Sequence, residues 1–305
     1  MVELIKRWVR SYGLKNVVLR ALYEKLPVIH VDKDQLLRRM NWQMHSRHKL
    51  RKYINAVEAV PESDISNPYS KTIWVLWLQG IEKAPLIVKK CYQSIMKEAP
   101  RMGLNVVVLD ESNLFEYVKM PDYIIKKWKT GAIGTAHLSD LCRVTLLCEY
   151  GGLWLDATTL LTGRIDREIL ESDIFFFKAS FLDFSATKIS SWLMYARNPG
   201  NAFLINVRNT LFNYWKYNNI MDDYFMFHLV VAETSTKEPY AEMFNSIPFY
   251  TNTYPQCLGR VLNDDFDEKT FERFLKMSNI HKLSYKNLDE TKACSYYKHI
   301  LNMEF

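Results

Sequence analysis

The sequence predicts an α/β fold in which a mostly parallel sheet has helices on both faces. Three observations predict it. Continuous apolar runs, typical of strands that are buried on both faces, occur at 72–77, 105–109 and 153–155. Segments with helical periodicity alternate with these runs. The chain of 305 residues is long enough to bury one large domain of this kind and to carry a helical appendage.

Residues 1–65 are predicted to form that appendage, a basic amphipathic helical arm. Apolar residues recur at helical spacing over 4–12 and 17–26, with Lys and Arg between them. A second basic helix is predicted from about Asp34 to Val60, followed by a linker. A basic helix with Trp at its apolar edge can lie in a membrane interface, and the alternative is that the apolar stripe packs on the rest of the protein.

The positive charge of the chain is concentrated in this arm. The net charge is +6, but residues 1–52 contain thirteen Lys or Arg and four Asp or Glu, so the remainder carries −3. A net acidic body without RNP-like motifs or zinc knuckles excludes a nucleic-acid partner. Dinucleotide-binding and P-loop functions are excluded because their glycine motifs are missing. The arm is predicted to meet phosphate or anionic lipid at one local surface.

Cysteine spacing and hydropathy predict the compartment. The five cysteines are odd in number and lack CxxC pairs, so reduced thiols are expected. The opening MVELIKRWVR lacks the apolar core of a signal peptide, and no apolar run approaches the roughly 18 to 20 residues that span a bilayer. We therefore expect a cytoplasmic protein that is peripheral on the inner face of the cytoplasmic membrane.

The elements of the body follow in order along the chain. A strand over 72–77 ends at Gly80, and Pro85 then stands in the first turn of a helix. The second strand, 105–109, ends at Asp110, and two short helices follow near 111–118 and 121–129. Because ligands of parallel sheets bind at the carboxyl ends of the strands, residues 77–80, Asp110 and Asp156 are predicted along one rim.

Two later segments are less regular. The segment ISSWLMYARNPGN, 189–201, is predicted by composition to be a loop that leads into a helix. The segment MDDYFMFHLV, 221–230, is predicted to be a helix that carries Asp222, Asp223 and His228. One of these acids could serve a ligand site, although two acids at a helix N-terminus are also ordinary capping.

The segment HLSDLCRVTLLCEYGGLWLDATTL, 137–160, carries the strongest chemical signal. Asp140 and Arg143 share one face of an otherwise apolar helix, and either they neutralise one another or both face a polar ligand. Asp156 ends a buried strand with no Lys or Arg close in sequence, so a cation or hydrogen-bond donors must meet it. Mg²⁺ or Mn²⁺, held with help from the hydroxyl of Thr158, would be such a cation.

The stretch SDLCRVTLLCEYGGLWLD resembles the S-D-x-x-R-x-x-x-L-x-x-x-G-G-x-[YW]-x-D block of glycosyltransferase family 32 and the large glucosylating toxins. With IWVLWLQG, GGLWLDATTLLTG and IHKLSYK, the chain most resembles the capsular polysaccharide synthesis protein family. The resemblance covers 71–165 well and 220–285 loosely. It implies a GT-A (Rossmann-like) domain over 66–305, with a nucleotide-sugar-binding part at 66–165 and an acceptor-side part at 166–305.

The resemblance also implies roles for individual residues. The nucleotide-sugar site would comprise Trp77, Gln79, Asp140, Arg143, Trp154 and Asp156. The catalytic residues would be Asp156, Arg143, Lys282 and Asp223. Lys282 or Lys286 would meet the diphosphate, and Asp223 would lie on the acceptor side.

A metal site is implied as well. Asp156 matches the first acid of the D-x-D metal motif of the family, but Thr158 stands at the position of the second acid. His281 resembles the C-terminal histidine that ligates the metal in several GT-A enzymes, whereas a lone histidine is otherwise an ordinary hydrogen-bonded residue. The implied ligands of Mn²⁺ or Mg²⁺ are Asp156, Thr158 and His281.

Together these residues imply a hexosyltransferase that moves a sugar from a nucleotide-diphosphate donor, expected to be a UDP-sugar, with retention of configuration. The expected acceptor is a lipid-linked intermediate of a capsular or surface polysaccharide, with the arm against the membrane. One alternative is a transferase that glycosylates proteins. The other is a catalytically silent nucleotide-sugar-binding subunit that tethers a membrane assembly, which the change at Thr158 keeps open.

Overall fold

The computed structural model describes residues 2–25, 35–57, 70–179 and 186–305. Most of the predicted linker therefore lies outside the described residues. The N-terminal arm consists of the helices α1 (Val2–Tyr12), α2 (Leu14–Lys25) and α3 (Gln35–Asn55). The predicted helical arm is present, and its last helix ends at Asn55, before the predicted Val60.

Seven strands occur in the described part of the chain: β1 (Thr72–Leu76), β2 (Asn105–Leu109), β3 (Gly152–Leu155), β4 (Thr159–Leu161), β5 (Ile174–Lys178), β6 (Ile189–Ala196) and β7 (Ile280–Lys282). Five of them form the central sheet in the order β2-β1-β3-β6-β5, and β4 pairs with β7 in a second small sheet. Strands β2, β1 and β3 are parallel, β6 is antiparallel to β3, and β5 is antiparallel to β6. Four of the five central strands therefore run in one direction, and their carboxyl ends share one rim.

Helices surround this sheet, and the predicted α/β class with a mostly parallel sheet is confirmed. The helices after the arm are α4 (Leu86–Arg101), α5 (Leu114–Tyr117), α6 (Asp122–Lys129), α7 (Thr135–Tyr150), α8 (Arg167–Glu171), α9 (Ala202–Tyr217), α10 (Met226–Thr234), α11 (Tyr240–Asn245), α12 (Thr253–Arg260), α13 (Glu268–Met277) and α14 (Tyr296–Asn302). None of the helices in the described ranges is long and apolar enough to cross a membrane.

The double glycine between α7 and β3 brings the functional helix and strand together. Gly151 ends α7 with φ 66°, and Gly152 follows with φ 94°, a region that residues with a side chain rarely adopt. A Cβ on Gly152 would lie 2.4 Å from the carbonyl oxygen of Thr72 on β1. Only glycine therefore allows the chain to leave the buried helix α7 and pass directly into β3, which lies beside β1.

Two sequence predictions are wrong in this part of the fold. The segment from Ile189, predicted to be a loop, forms β6, an inner strand whose eight residues are all buried. Its two serines gave it a loop-like composition, although one of them is used as a polar partner inside the sheet. The predicted helix over 221–230 begins only at Met226, so Asp222 and Asp223 lie before α10.

The described part of the arm packs on the body through ion pairs as well as apolar contacts. Arg47 and Arg51 on α3 both pair with Glu233 of α10, at 3.0 and 2.6 Å. Lys49 pairs with Asp222 at 3.1 Å. At the junction of α1 and α2, the amide of Met221 donates to a carbonyl of α1. Much of the charge on α3 therefore serves the contact with the body.

Candidate active site

Helix α7 and strand β3 bring three predicted residues together at the carboxyl rim of the sheet. Nη1 of Arg143 lies 3.2 Å from Oδ1 of Asp140, and Nη2 lies 3.3 Å from Oδ1 of Asp156. Asp140 and Arg143 are buried, whereas the Asp156 side chain is 25% exposed. Asp140 and Arg143 thus neutralise one another, and the same guanidinium reaches the acid at the strand end.

Serine side chains and a tryptophan ring fix the orientation of Arg143. Its Nη1 donates to the carbonyl and the hydroxyl of Ser191 on β6, at 2.8 and 2.5 Å. Its Nη2 donates to the hydroxyl of Ser139, one turn earlier on α7, at 3.0 Å. The guanidinium lies 5.0 Å from the ring centre of Trp154, a cation–π contact. The sequence analysis missed both serines, although Ser139 precedes Asp140 in the recognised block.

Asp140 is kept ionised by its neighbours on α7. Burial alone would raise its pKa, but Arg143 and His137 outweigh this and hold the pKa below its ordinary value. The indole N–H of Trp215 donates to Nε2 of His137 at 2.9 Å, so a neutral His137 carries its proton on Nδ1. That Nδ1 lies 3.4 Å from Oδ2 of Asp140. The sequence analysis did not identify His137 or Trp215 as supports of this acid.

Asp156 meets its second cation from the far end of the chain. Nζ of Lys282, on β7, lies 3.5 Å from Oδ2 of Asp156. The same ammonium contacts the hydroxyl of Thr158, and β7 pairs with β4 directly after that residue. The indole N–H of Trp154 donates to Oδ1 of Asp156 at 3.0 Å. The predicted residues Asp156, Thr158 and Lys282 are thus in direct contact.

His281 points away from this cluster. Successive side chains of a strand lie on opposite faces, so His281 and Lys282 cannot both face Asp156. Nε2 of His281 lies 3.1 Å from the hydroxyl of Thr162, the imidazole is fully buried, and burial lowers its pKa to about 4. The structure does not bring His281 together with the other two predicted metal ligands.

The remaining donor set suits a divalent ion poorly. Within the described ranges, no three His, Cys, Asp or Glu side chains lie together so that they could hold a metal. Asp156 is a single carboxylate with a cationic side chain at each oxygen, and Lys282 contacts the two predicted ligand oxygens. A hard divalent ion prefers several anionic or neutral oxygens rather than neighbouring ammonium and guanidinium groups. The residues present do not fit a resident metal ion.

Aromatic side chains form the outer wall of the rim. Trp77, directly after β1, packs edge to face on Tyr285 with ring centres 5.2 Å apart. The buried indole N–H of Trp77 has no hydrogen-bond acceptor among the described residues. Gln79 follows in an exposed turn. An indole with an unused donor beside a second ring is a suitable surface for a flat heterocycle.

The turn before α10 carries Asp223, a predicted catalytic residue, and is followed by two groups, Tyr224 and His228, to which no role was assigned from the sequence. Asp223 is buried, and its Oδ1 accepts from the amide of Phe225 at 2.7 Å, which shapes the turn. Burial, together with the charges of Asp140 and Asp156, raises the pKa of the half-exposed Tyr224. Burial lowers the pKa of His228 to about 4, so this imidazole stays neutral. Tyr224 and His228 are thus within electrostatic reach of the rim acids.

Strand β7 is held against α12 by a close backbone contact. A Cβ on Gly259 of α12 would lie 2.2 Å from the carbonyl oxygen of Lys282 and 3.3 Å from Cα of Leu283. The amide of Leu283 in turn donates to the carbonyl of Thr158 at 2.9 Å. Lys282 is therefore positioned by its backbone neighbours on both sides.

Comparison with known proteins gives the family. Glycosyltransferase afumC of Aspergillus fumigatus is 27% identical over 109 residues, 33% of this chain. The match covers 28% of that relative, so the chain spans just over a quarter of its length. The solved structure of PaToxG Glycosyltransferase superposes with a TM-score of 0.42 and 11% identity, covering 67% of this chain and 83% of that one. The family model described as capsular polysaccharide synthesis protein matches residues 25–300. The chain belongs to the capsular polysaccharide synthesis protein family, as its sequence predicts.

Proposed function

We propose that the protein is a glycosyltransferase of the GT-A type that transfers a sugar from a nucleotide-diphosphate donor. The observation that carries the proposal is the joint placement of Asp140, Arg143, Asp156 and Lys282 at the carboxyl rim of the sheet. Two acids and two cations at the usual ligand-binding edge of an α/β sheet suit a ligand that has hydroxyls and phosphates. Membership of a polysaccharide synthesis family supports the same reading.

Each group has a distinct task in this proposal. Trp77 and Gln79 bind the base, and the unused indole donor of Trp77 supports this role. Asp140, kept ionised, accepts hydrogen bonds from ribose hydroxyls, while Arg143 contacts the donor sugar. The ring of Trp154 holds Arg143 in place. We expect a UDP-sugar as the donor.

The difficult step is departure of the nucleoside diphosphate, which leaves with new negative charge. Lys282 lies 3.5 Å from the carboxylate of Asp156 and can turn to phosphate oxygens without a large movement, while Arg143, held 3.3 Å from the same carboxylate, presents a fixed cation beside them. Fixed cations in a partly dry site stabilise such a leaving group strongly. Asp156 keeps the two cations in place until the donor arrives. We infer retention of anomeric configuration from the resemblance to retaining transferases.

The proposed acceptor is a lipid-linked saccharide at the cytoplasmic leaflet. The arm supports this part of the proposal, because basic Arg7 and Lys15 are exposed beside Trp8 and Leu14, which are 45% and 64% exposed. Each Lys or Arg near an anionic leaflet contributes about 1 kcal/mol of binding. The exposed apolar groups would enter the interface between them.

Donor hydrolysis across a panel of UDP- and GDP-sugars tests the proposal, with and without Mn²⁺ or EDTA. One donor should be hydrolysed, and Asp156→Asn should lower the rate about 100-fold or more. The matched control is Asp173→Asn, because the Asp173 side chain is 88% exposed and precedes β5 at the opposite rim. Calorimetric binding of a donor without any turnover would overturn the proposal in favour of a silent binding subunit.

A further inference from the structure

An open groove lies beside the proposed catalytic cluster and takes no part in donor binding as described above. Its volume is about 420 Å³, and its floor includes Phe177 of β5 and Ile280 of β7. Phe177 is near the carboxyl end of β5, which runs in the same direction as β3 and lies two strands away from it. With neighbouring strands about 4.8 Å apart, the end of β5 that contributes Phe177 lies about 10 Å from β3.

Strand β7 connects the groove to the catalytic cluster. Ile280 and Lys282 are two residues apart on this strand, so their side chains lie on one face, about 7 Å from each other. Across the central sheet, the amide of Asp156 donates to the carbonyl of Trp192, whose ring stacks on Phe177 at 4.8 Å. The groove and the cluster are thus connected through β7 and through the contact between Trp192 and Phe177.

The walls of the groove combine exposed aromatic rings with polar side chains. Phe249 is 80% exposed and Tyr254 is 49% exposed, and both line the groove. Three exposed polar side chains line it as well: Arg164, Asp166 and Asn279. A pyranose ring has an apolar C–H face and hydroxyl edges, so it matches rings on one wall and hydrogen-bonding groups on the other. A purely apolar ligand would leave the charged groups without partners.

The groove is held in shape before any ligand arrives. The hydroxyl of Tyr250 donates to a carboxylate oxygen of Glu168 at 2.9 Å. The amide nitrogen of Asn279 donates to the carbonyl of Arg164 at 3.1 Å. The indole of Trp192, under Phe177, donates to the side chain of buried Asn252 at 2.8 Å. Preformed walls reduce the ordering cost of binding.

We propose that this groove binds the saccharide part of the acceptor and directs its growing end toward Lys282 and Asp156. Phe249 and Tyr254 carry the sugar faces, and Arg164, Asp166 and Asn279 bind hydroxyls along the edge. The inference rests on the proposed glycosyltransferase function, because it names the acceptor site of that same reaction. It requires only binding, with no covalent step of its own.

Saturation-transfer NMR with maltopentaose and chitopentaose, without any nucleotide sugar, tests the groove. At least one of the two oligosaccharides should receive saturation from the wild-type protein, and Phe249→Ala/Tyr254→Ala should weaken its binding about tenfold or more. The matched control is Tyr217→Ala, which removes another exposed ring, 68% exposed, at the end of α9. Thermal melting of the double variant checks that it is folded.

The outcomes are distinct from those of the donor experiment. Equal saturation transfer in the wild type and the double variant, or no transfer to either oligosaccharide from the wild type, would contradict the proposal that the groove binds a saccharide. A loss that Tyr217→Ala reproduces would overturn it as well. Sugar binding that depends on Phe249 and Tyr254, in a protein that hydrolyses no donor, would leave the groove intact while the proposed enzymatic function fails.

Discussion

Two carboxylates in this protein each face two cationic side chains, and they do so in opposite ways. Glu233, between α3 and α10, has a side chain that is 4% exposed, and its oxygens lie 3.0 and 2.6 Å from Arg47 and Arg51. Asp156, at the sheet rim, has a side chain that is 25% exposed, with cationic nitrogens 3.3 and 3.5 Å away. We call the arrangement at Glu233, whose carboxylate is buried, the closed pair, and the arrangement at Asp156, whose carboxylate is partly exposed, the open cluster.

The difference separates a structural ion pair from one that can change partners. Short charge-assisted hydrogen bonds to a buried carboxylate hold the arm on the body, although Arg51 itself is half exposed, and removing Glu233 would leave two arginines unpaired. Longer contacts at the rim bind the cations less tightly, so an incoming diphosphate can compete with Asp156 for them. The same residue types thus hold α3 against α10 at Glu233, whereas at Asp156 they form part of the proposed donor site.

The largest expected effect is at the open cluster. Arg143→Lys should lower donor hydrolysis about 1000-fold, because Lys retains the charge but not the planar fork that reaches Ser191, Asp140 and Asp156 together. Steady-state kinetics measure this, with Arg167→Lys, an 89% exposed side chain, as the control. A loss below tenfold in Arg143→Lys would show that charge alone suffices at the rim.

Substitution of Glu233 in the closed pair should lower the stability of the protein. Glu233→Gln removes the charge that two arginines share, and it should lower the free energy of unfolding by about 3 kcal/mol. Glu171→Gln breaks an exposed pair with Arg167 and should cost less than about 0.5 kcal/mol. Urea denaturation measures both values. Equal effects of the two substitutions would contradict the distinction between closed and exposed pairs.

Donor hydrolysis at the open cluster should not require a divalent ion. Donor hydrolysis should remain within about twofold in EDTA, and Lys282→Ala should lower it about 100-fold, because Lys282 stabilises the leaving diphosphate. Lys276→Ala, with an exposed side chain, is the control. Hydrolysis that disappears in EDTA and returns with Mn²⁺ would contradict this assignment and restore the metal prediction.

The exposed basic residues of the arm should contribute to binding at an anionic membrane surface. Arg7→Gln/Lys15→Gln should weaken binding to vesicles that contain phosphatidylserine about 30-fold, since two cations near the leaflet contribute about 2 kcal/mol. Flotation against neutral phosphatidylcholine vesicles measures the electrostatic part. Glu233→Gln should not reproduce the change, because that acid faces the body. Equal binding to both vesicle types would contradict a leaflet-directed arm.

The smallest expected effect is a pH dependence near the rim. Burial lowers the pKa of His281 from 6.5 to about 4, so the folded protein keeps it neutral while the unfolded chain binds a proton below about pH 6.5. The free energy of unfolding should therefore be unaffected by this group above pH 6.5 and fall as the pH drops from 6.5 to 4. The loss at pH 5.5 is about 1 kcal/mol. Urea titrations should show a shallower pH slope in His281→Gln, and an unchanged slope would contradict the assignment.

Local signals predict much of the fold and only part of the site. Strands β1 and β3 were predictable because strands buried on both faces are apolar without interruption, and β2 is equally apolar although it is an edge strand that is only partly buried. Strand β6 was not predictable, because its two serines suggest a loop, and only the tertiary structure reveals that Ser191 is a polar partner for Arg143. The cation that meets Asp156 comes from Lys282, far along the chain, so no local spacing predicts that contact. His281 was misjudged because the resemblance does not fix which face of β7 a residue occupies.

The missing side chain at Gly259 couples two parts of the molecule. With no Cβ in the way, α12 lies against the backbone of Lys282, and a displacement of this helix displaces the lysine as well. The same helix carries Tyr254 and Pro255 into the groove. We therefore expect the position of α12 to matter to both proposed sites, the groove and the lysine that faces Asp156.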